Sequence, residues 1–202
     1  MKERARQILD AADELFGERG FAAVSVRDVA VRAEVKKATV FYYFDSKEDL
    51  FEQVLERYYT AHRAAFEDAF STAGPLRERL HGVLDAYIDF IEANQRYPRL
   101  VQNVITGSPD HHPLIERNLR LLYSFVSEAM ADTAPESGPL AARHLFVTLS
   151  GAVINTYTYG PVLAPMWGSD PLAPESLAER RVHLHWLVDT MLDSMQASAA
   201  PD

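Results

Sequence analysis

Apolar residues recur at three- and four-residue spacing along nearly the whole chain, which predicts amphipathic helices throughout and no strand. Ile8, Ala12, Leu15 and Phe16 form the first stripe, and Gly20 followed by Phe21 marks a left-handed stop with its hydrophobic contact. Val26, Val29, Ala30 and Ala33 make a second, short stripe. Val40, Phe41 and Phe44 are the expected inner face of a third helix over residues 37–44. Leu50, Phe51, Val54, Leu55, Tyr58 and Tyr59 belong to a long helix from Ser46 to residue 70, ended by Ser71-Thr72-Ala73-Gly74. Further helices follow over residues 75–94, 98–107, 113–130, 140–158 and 175–195. Gly160-Pro161 opens an irregular link to Pro174, and the tail after Gln196 is expected to be disordered. The fold class is therefore all-α with nine helices: three in a small N-terminal domain, residues 1–46, and the rest in a bundle over residues 47–202.

Residues 25–50, SVRDVAVRAEVKKATVFYYFDSKEDL, carry the most information. They read as two short helices around a tight turn at Ala33-Glu34-Val35, followed by a capped start to a third. Ser25 is the expected N-cap of the first, with Asp28 as the capping-box acid, and Ser46 with Asp49 repeats the arrangement. A helix-turn-helix of this kind places its second helix in the DNA major groove. The polar set suits a phosphate backbone: Ser25, Lys36, Lys37, Thr39, Tyr42, Tyr43 and the Ser46-Lys47 helix start. Arg27 adds a planar fork able to bridge phosphate or the guanine O6/N7 pair. Taken singly, the basic residues are equally a solvated face and the aromatics equally core; the ordered constellation is what points to DNA.

Residues 4–55 resemble the N-terminal DNA-binding domain of the tetracycline-repressor-like (TetR) family of transcriptional regulators. The resemblance covers about a quarter of the chain and rests on LFGERGF, SVRDVA, TVFYYF and SKEDL in order. It implies that Arg27, Lys37, Thr39, Tyr42, Tyr43 and Lys47 contact DNA. Several positions depart from the family pattern. Glu34 replaces the usual turn glycine, so either a left-handed backbone there costs about 1 kcal/mol or the turn is built differently. Lys36 replaces a capping serine, Ala38 a glycine, and Phe41 a tyrosine whose hydroxyl would reach phosphate; Tyr43 stands where histidine is frequent.

Charge modifies this picture without reversing it. The net charge is −9, yet residues 25–47 carry five basic against three acidic side chains, and all four lysines precede residue 48. A local basic patch on an acidic body is compatible with specific binding and discourages non-specific binding. Without cysteine there is no disulfide framework or thiolate site, and no apolar run of about 18 residues or secretory leader is evident. A cytoplasmic protein with no membrane partner is expected.

For the bundle, the resemblance implies a small-molecule effector and a homodimer. Candidate effector-binding residues are Tyr59, His62, Phe66, Tyr87, Ile91, Asn103, Tyr123, Val126, Thr148 and Asn155, chosen as aromatic or apolar surface with a few orienting polar groups. Candidate pairing residues lie on the last two long helices: Gly151 and Ala152 as small contacts, and Leu184, Val188, Met191 and Met195 as an apolar stripe that is equally intramolecular core. An enzyme is the remote alternative. A di-iron bundle needs two Glu-x-x-His pairs, and this chain has one, Glu78 and His81. With no phosphate loop and no nucleophile motif, no catalytic residue, metal or cofactor is expected. The reading is a regulator, usually a repressor in this family, released from a palindromic operator by an apolar or aromatic molecule. A ligand-independent activator or architectural DNA-binding protein is the alternative.

Overall fold

Local capping chemistry decides where the early helices begin. Ser25 Oγ accepts the amide of Asp28 at 3.2 Å, and the Asp28 carboxylate accepts the amide of Ser25 at 2.8 Å, closing the expected capping box. At the next start, Ser46 Oγ accepts the amide of Asp49 at 3.0 Å, but the Asp49 carboxylate reaches one residue further back, to the amide of Asp45 at 2.8 Å. Lys36 stands at an N-cap with no side-chain bond, as its chemistry requires.

The computed structural model describes residues 3–71, 73–107 and 109–199; Thr72, in the run expected to end the long helix, and residues 200–202 of the tail lie outside it. Its described residues form nine α-helices and no strand: α1 (Glu3–Ala23), α2 (Val26–Arg32), α3 (Lys37–Tyr43), α4 (Lys47–Ser71), α5 (Leu76–Ala93), α6 (Tyr97–Thr106), α7 (His112–Ala129), α8 (Ala142–Trp167) and α9 (Pro174–Ala199). The all-helical architecture expected from the apolar periodicity is what is found.

Three boundaries differ from expectation. Phe44 ends α3 as its C-cap rather than as a helical residue. The tail beyond Gln196 continues α9 to Ala199, with Met195 buried beneath its last turns. The irregular link expected after Gly160 is instead the last two turns of α8, with Pro161 and Pro165 inside the helix. Each proline removes one i→i−4 bond, but both are exposed and lie four residues apart on one face. Leu172, in the return segment, packs where a Gly160 Cβ would be, and Gly168 in the left-handed conformation (φ 67°) supplies the stop.

The chain forms two compact units. The first comprises residues up to 61 together with 96–118; the second comprises 62–95 together with 119 onward. In the first, Phe16, Phe21 and Phe51 meet at ring-centroid distances of 4.9 to 5.8 Å, and the His111 ring packs against Phe21 at 4.5 Å. Gly20, at φ 76° and ψ 162°, breaks the helical path where the stop was expected. Asp13 is the buried charge of this unit. It accepts a hydrogen bond from the Tyr58 hydroxyl at 2.7 Å and faces Arg57 at 3.3 Å and Arg96 at 3.7 Å. Burial raises the carboxyl above its ordinary range against those three favourable partners. The network ties α1 to α4 and to the residue that precedes α6.

In the second unit, α5 and α9 run antiparallel along a strip of opposite charges. Arg77 meets Asp189 and Asp193, while Arg181 meets Asp85, Asp89 and Glu92. His81 lies 2.9 Å from Asp189, and His185 lies 2.8 Å from Asp85. Each pair is half-exposed and contributes little alone, so the strip chiefly sets the register of the two helices. No group of three or more potential metal ligands occurs among the described residues. No helix among them is long and apolar enough to cross a membrane.

The turn between α2 and α3 settles the question raised by Glu34. Val35 N donates to Ala30 O at 2.9 Å and Glu34 N to Val31 O at 3.1 Å, which is a complete Schellman motif with Glu34 at φ 53°. A non-glycine residue in that conformation is strained by roughly 1–2 kcal/mol, and glycine returns about 0.4–1 kcal/mol of that as unfolded-chain entropy. Glu34→Gly is therefore expected to raise stability by about 0.5–1 kcal/mol. Urea midpoints of the two proteins check this, and an unchanged or lower midpoint for the glycine variant contradicts it.

Candidate functional site

The reading head is built on α2 and α3. Within α3 only Val40 is buried, with Phe44 just beyond it, so most of this short helix is left for contact. Ser25, Arg27, Lys36, Lys37 and Tyr42 are exposed, Tyr42 at 72%, and Thr39 and Tyr43 are half-buried. The Tyr42 and Tyr43 rings meet edge to face at 4.9 Å, which orients both hydroxyl-bearing rings. Phe41 departs from expectation. The helical spacing places it on the inner face, yet it is 45% exposed, with Lys37 Nζ 5.6 Å from its ring centroid. Three residues after Ala38, it falls on the side of α3 away from Val40, and its apolar ring stands where a phosphate-reaching hydroxyl is usual.

Lys47 is placed differently from the other candidates. Its Nζ donates to the carbonyls of Phe21 at 2.8 Å and Val24 at 2.9 Å, and lies 4.1 Å over the Phe21 ring. These carbonyls lie at the end of α1 and just past it, where no following turn of the helix supplies an i+4 amide; the Phe21 carbonyl also accepts the Val24 amide at 3.4 Å. The ammonium caps the α1–α2 joint, leaving one of its three N–H donors for a phosphate.

The second unit holds an apolar cavity of about 70 Å³ among α4, α5, α7, α8 and α9. Of the ten effector-binding candidates, Phe66, Tyr87 and Val126 line it. His62 packs beside them, its ring 4.5 Å from Phe66 and 4.6 Å from Phe90. Ile91 is fully buried, Tyr123 is 39% exposed against Phe146, and Thr148 and Asn155 are exposed; none of the four lines the cavity. Tyr59 and Asn103 belong to the first unit, Tyr59 against Tyr97 and Asn103 beside Gly20. The lining the candidates omit is aliphatic, such as Leu84, Leu122, Leu149 and Met130, with Ser150 as its hydroxyl. Leucines at helical spacing read as core, and periodicity does not separate a stripe facing a void from one facing a filled core.

The pairing candidates divide similarly. Leu184, Val188 and Met195 are at most 2% exposed within the single chain, and Val188 and Met191 line the cavity. Gly151 and Ala152 are half-buried on α8. The exposed apolar side chains lie elsewhere on the same helices: Tyr159, Val162, Met166 and Trp167 on α8, and Val182 and Trp186 on α9.

A capped helix-turn-helix head and a second helical unit with an apolar cavity define a DNA-binding regulator of the helix-turn-helix class. Residues 8–54 match the family described as bacterial regulatory proteins, tetR family. The HTH-type transcriptional activator FasR of Mycolicibacterium smegmatis is 35% identical over 191 residues, spanning 91% of this chain and 82% of FasR. A TetR/AcrR-family regulator from Thermobifida fusca superposes with a TM-score of 0.64 at 25% identity, over 93% of this chain and 97% of that one. FadR from Bacillus subtilis, in complex with stearoyl-CoA, shares the fold with a TM-score of 0.65 at 18% identity, over 94% of this chain and 96% of that one. The chain belongs to the tetR family of bacterial regulatory proteins, a family of DNA-binding transcriptional regulators and not of enzymes.

Proposed function

We propose that the chain is a ligand-responsive regulator that binds a palindromic operator as a homodimer and leaves it when an apolar or aromatic molecule enters the cavity of the second unit. Residues 1–46 read DNA; residues 47–202 hold the effector and pair two copies. The observation that carries this reading is the cavity lining, in which Ser150 and Tyr87 alone bear hydroxyls among otherwise apolar side chains. A lining of that kind excludes hydrated or highly charged molecules from its interior. The Bacillus subtilis FadR complex supports it, since that protein of the same fold holds stearoyl-CoA.

At about 70 Å³ the cavity is well below the roughly 300–1,000 Å³ of a site for a drug-sized molecule, so entry of an effector parts the helices around it. One of those helices is α4, whose other end starts beside the reading head. An effector that binds better to the parted state shifts the population toward it. Recognition helices moved away from a spacing of about 34 to 36 Å no longer fit successive major grooves. For pairing, Tyr159, Val162 and Met166 recur at helical spacing on α8, and Val182 and Trp186 on α9, which supports these exposed faces as the interface.

The similarity to FasR, an activator, favours a second reading in which effector binding strengthens operator binding. Fluorescence anisotropy on DNA upstream of the chain's own gene, against a scrambled duplex at fixed salt, tests both. Sequence-selective binding is expected, and a panel of aliphatic and aromatic molecules is expected to contain one that weakens it. Strengthening by that molecule supports the activator. Equal binding to both duplexes on every upstream fragment contradicts sequence-specific regulation.

A further inference from the structure

A second, small gap of about 10 Å³ lies between α5, α8 and α9 in the same unit, and beside Ile88, Val153, Leu177 and Leu184 its lining includes the polar side chains of Glu92, Thr156, Tyr157, Arg180 and Arg181. Two buried donors open onto it without a partner: Arg180 Nε and the Tyr157 hydroxyl. Arg180 spends one terminal nitrogen on the Ala152 carbonyl at 3.0 Å, and no carboxylate among the described residues lies within ion-pair distance of it. The nearby acids are engaged elsewhere, since Asp85, Asp89 and Glu92 all face Arg181. Arg180 is thus a partly desolvated cation with no ion-pair partner among the described residues, although Glu92, which faces Arg181, lines the same gap, and burial lowers the affinity of Arg180 for its proton. Burial likewise pushes the Tyr157 phenol up to about 12, so at neutral pH it remains a neutral donor. A native protein seldom leaves one such group unsatisfied. Two of them opening on one gap, one charged, describe a place for an acceptor that carries negative charge.

The position of this gap supplies the rest. On α5 the main cavity includes Leu84 and the gap includes Glu92; on α9 the corresponding residues are Val188 and Arg180; on α8 they are Leu149 and Tyr157. Each pair is eight residues apart, so all three helices give the same offset of about 12 Å at 1.5 Å per residue. The gap therefore lies further along the same three helices as the apolar cavity, with the buried side chains of Ile88, Val153 and Leu184 between the two, and an effector that parts the helices to enter the cavity can reach past them to the cation.

We propose that Arg180 and Tyr157 form an anion subsite, which takes the carboxylate head of an amphiphilic effector whose hydrocarbon chain fills the apolar cavity. This rests on the cavity being the effector site. Arg180 supplies the charge and a planar fork, Tyr157 supplies a neutral donor, and together they select acids over alcohols of equal chain length.

Calorimetric titration of the full-length protein with dodecanoate and with dodecan-1-ol tests it. The wild type is expected to bind the acid about tenfold more tightly or better, as one charged hydrogen bond implies. Arg180→Gln is expected to erase that preference by weakening the acid alone, and Tyr157→Phe, the smaller change, to reduce it part of the way. Leu149→Trp is expected to abolish binding of both. Equal binding of acid and alcohol, both lost in Leu149→Trp, overturns the subsite and leaves the cavity reading intact. Unaltered binding of both in Leu149→Trp overturns the cavity reading and the subsite with it. Failure of both probes to bind the wild type overturns the amphiphile. If Arg180→Gln leaves the acid preference unchanged and instead dissociates the dimer in sedimentation, Arg180 answers a carboxylate of a second copy, and the subsite is overturned.

Discussion

Lys47→Ala is expected to lower the stability of the first unit by about 2–3 kcal/mol, and to weaken operator and scrambled DNA alike without changing the salt dependence of binding. The magnitude follows from geometry. Two hydrogen bonds from a charged donor, at 2.8 and 2.9 Å, hold the carbonyls of Phe21 and Val24, and bonds of this kind contribute roughly 1.5–3 kcal/mol each; partial exposure brings the pair to the lower end. Without the ammonium, the two carbonyls at the α1–α2 joint lose their charged partner, and the start of α4 is no longer fastened to the end of α1. The loss of DNA affinity then comes from a head that is less often folded in its binding shape. Lys37→Ala provides the contrast. Lys37 is exposed and holds no carbonyl, so its removal is expected to leave stability unchanged and to reduce the salt slope by about one counterion. Melting curves and anisotropy titrations at three salt concentrations separate the two. A reduced slope for Lys47→Ala with unchanged melting would return Lys47 to the phosphate backbone.

The contrast shows which features of this chain are legible from its residues. Caps are legible because their chemistry is local: Ser25 with Asp28, Ser46 with Asp49, and the left-handed residue at Glu34 are all decided within five residues. Lys47 is not, because its partners lie 23 and 26 residues earlier, at the end of α1. The extension of α8 was illegible for the opposite reason. The local rule that proline ends a helix is sound, but here it is overridden by the exposure of Pro161 and Pro165 and by Leu172 closing over Gly160. On α9 the periodicity is correct and its destination is not deducible. The stripe of Leu184, Val188 and Met195 faces inward, while Val182 and Trp186, which interrupt it, carry the exposed apolar surface. Spacing identifies faces; it does not say which face meets a neighbour helix and which meets a second copy.

Leu149→Trp carries the second large expectation, the loss of the effector response with DNA binding retained. Leu149 is half-buried and lines the apolar cavity from α8 together with Phe146 and Ser150, as Leu80 and Leu84 line it from α5. An indole there occupies the space an effector needs. Overpacking typically costs about 1–3 kcal/mol, and the partly exposed position places this variant near the lower figure, so the fold is retained. Effector and operator are coupled through two states, and a coupling of about 1–3 kcal/mol corresponds to a 5- to 150-fold change in operator affinity. With the cavity filled, the effector has no differential affinity to contribute, and that ratio is expected to fall to one. Which state the indole favours is then read from basal binding. If entry parts the helices and releases DNA, a side chain that fits within the closed cavity leaves basal affinity near the wild-type value. A side chain that forces the cavity open mimics the effector and lowers it. Under either result the effector response is lost; a full response in Leu149→Trp would move the effector site out of this cavity, and the α8 wall would then have only a packing role.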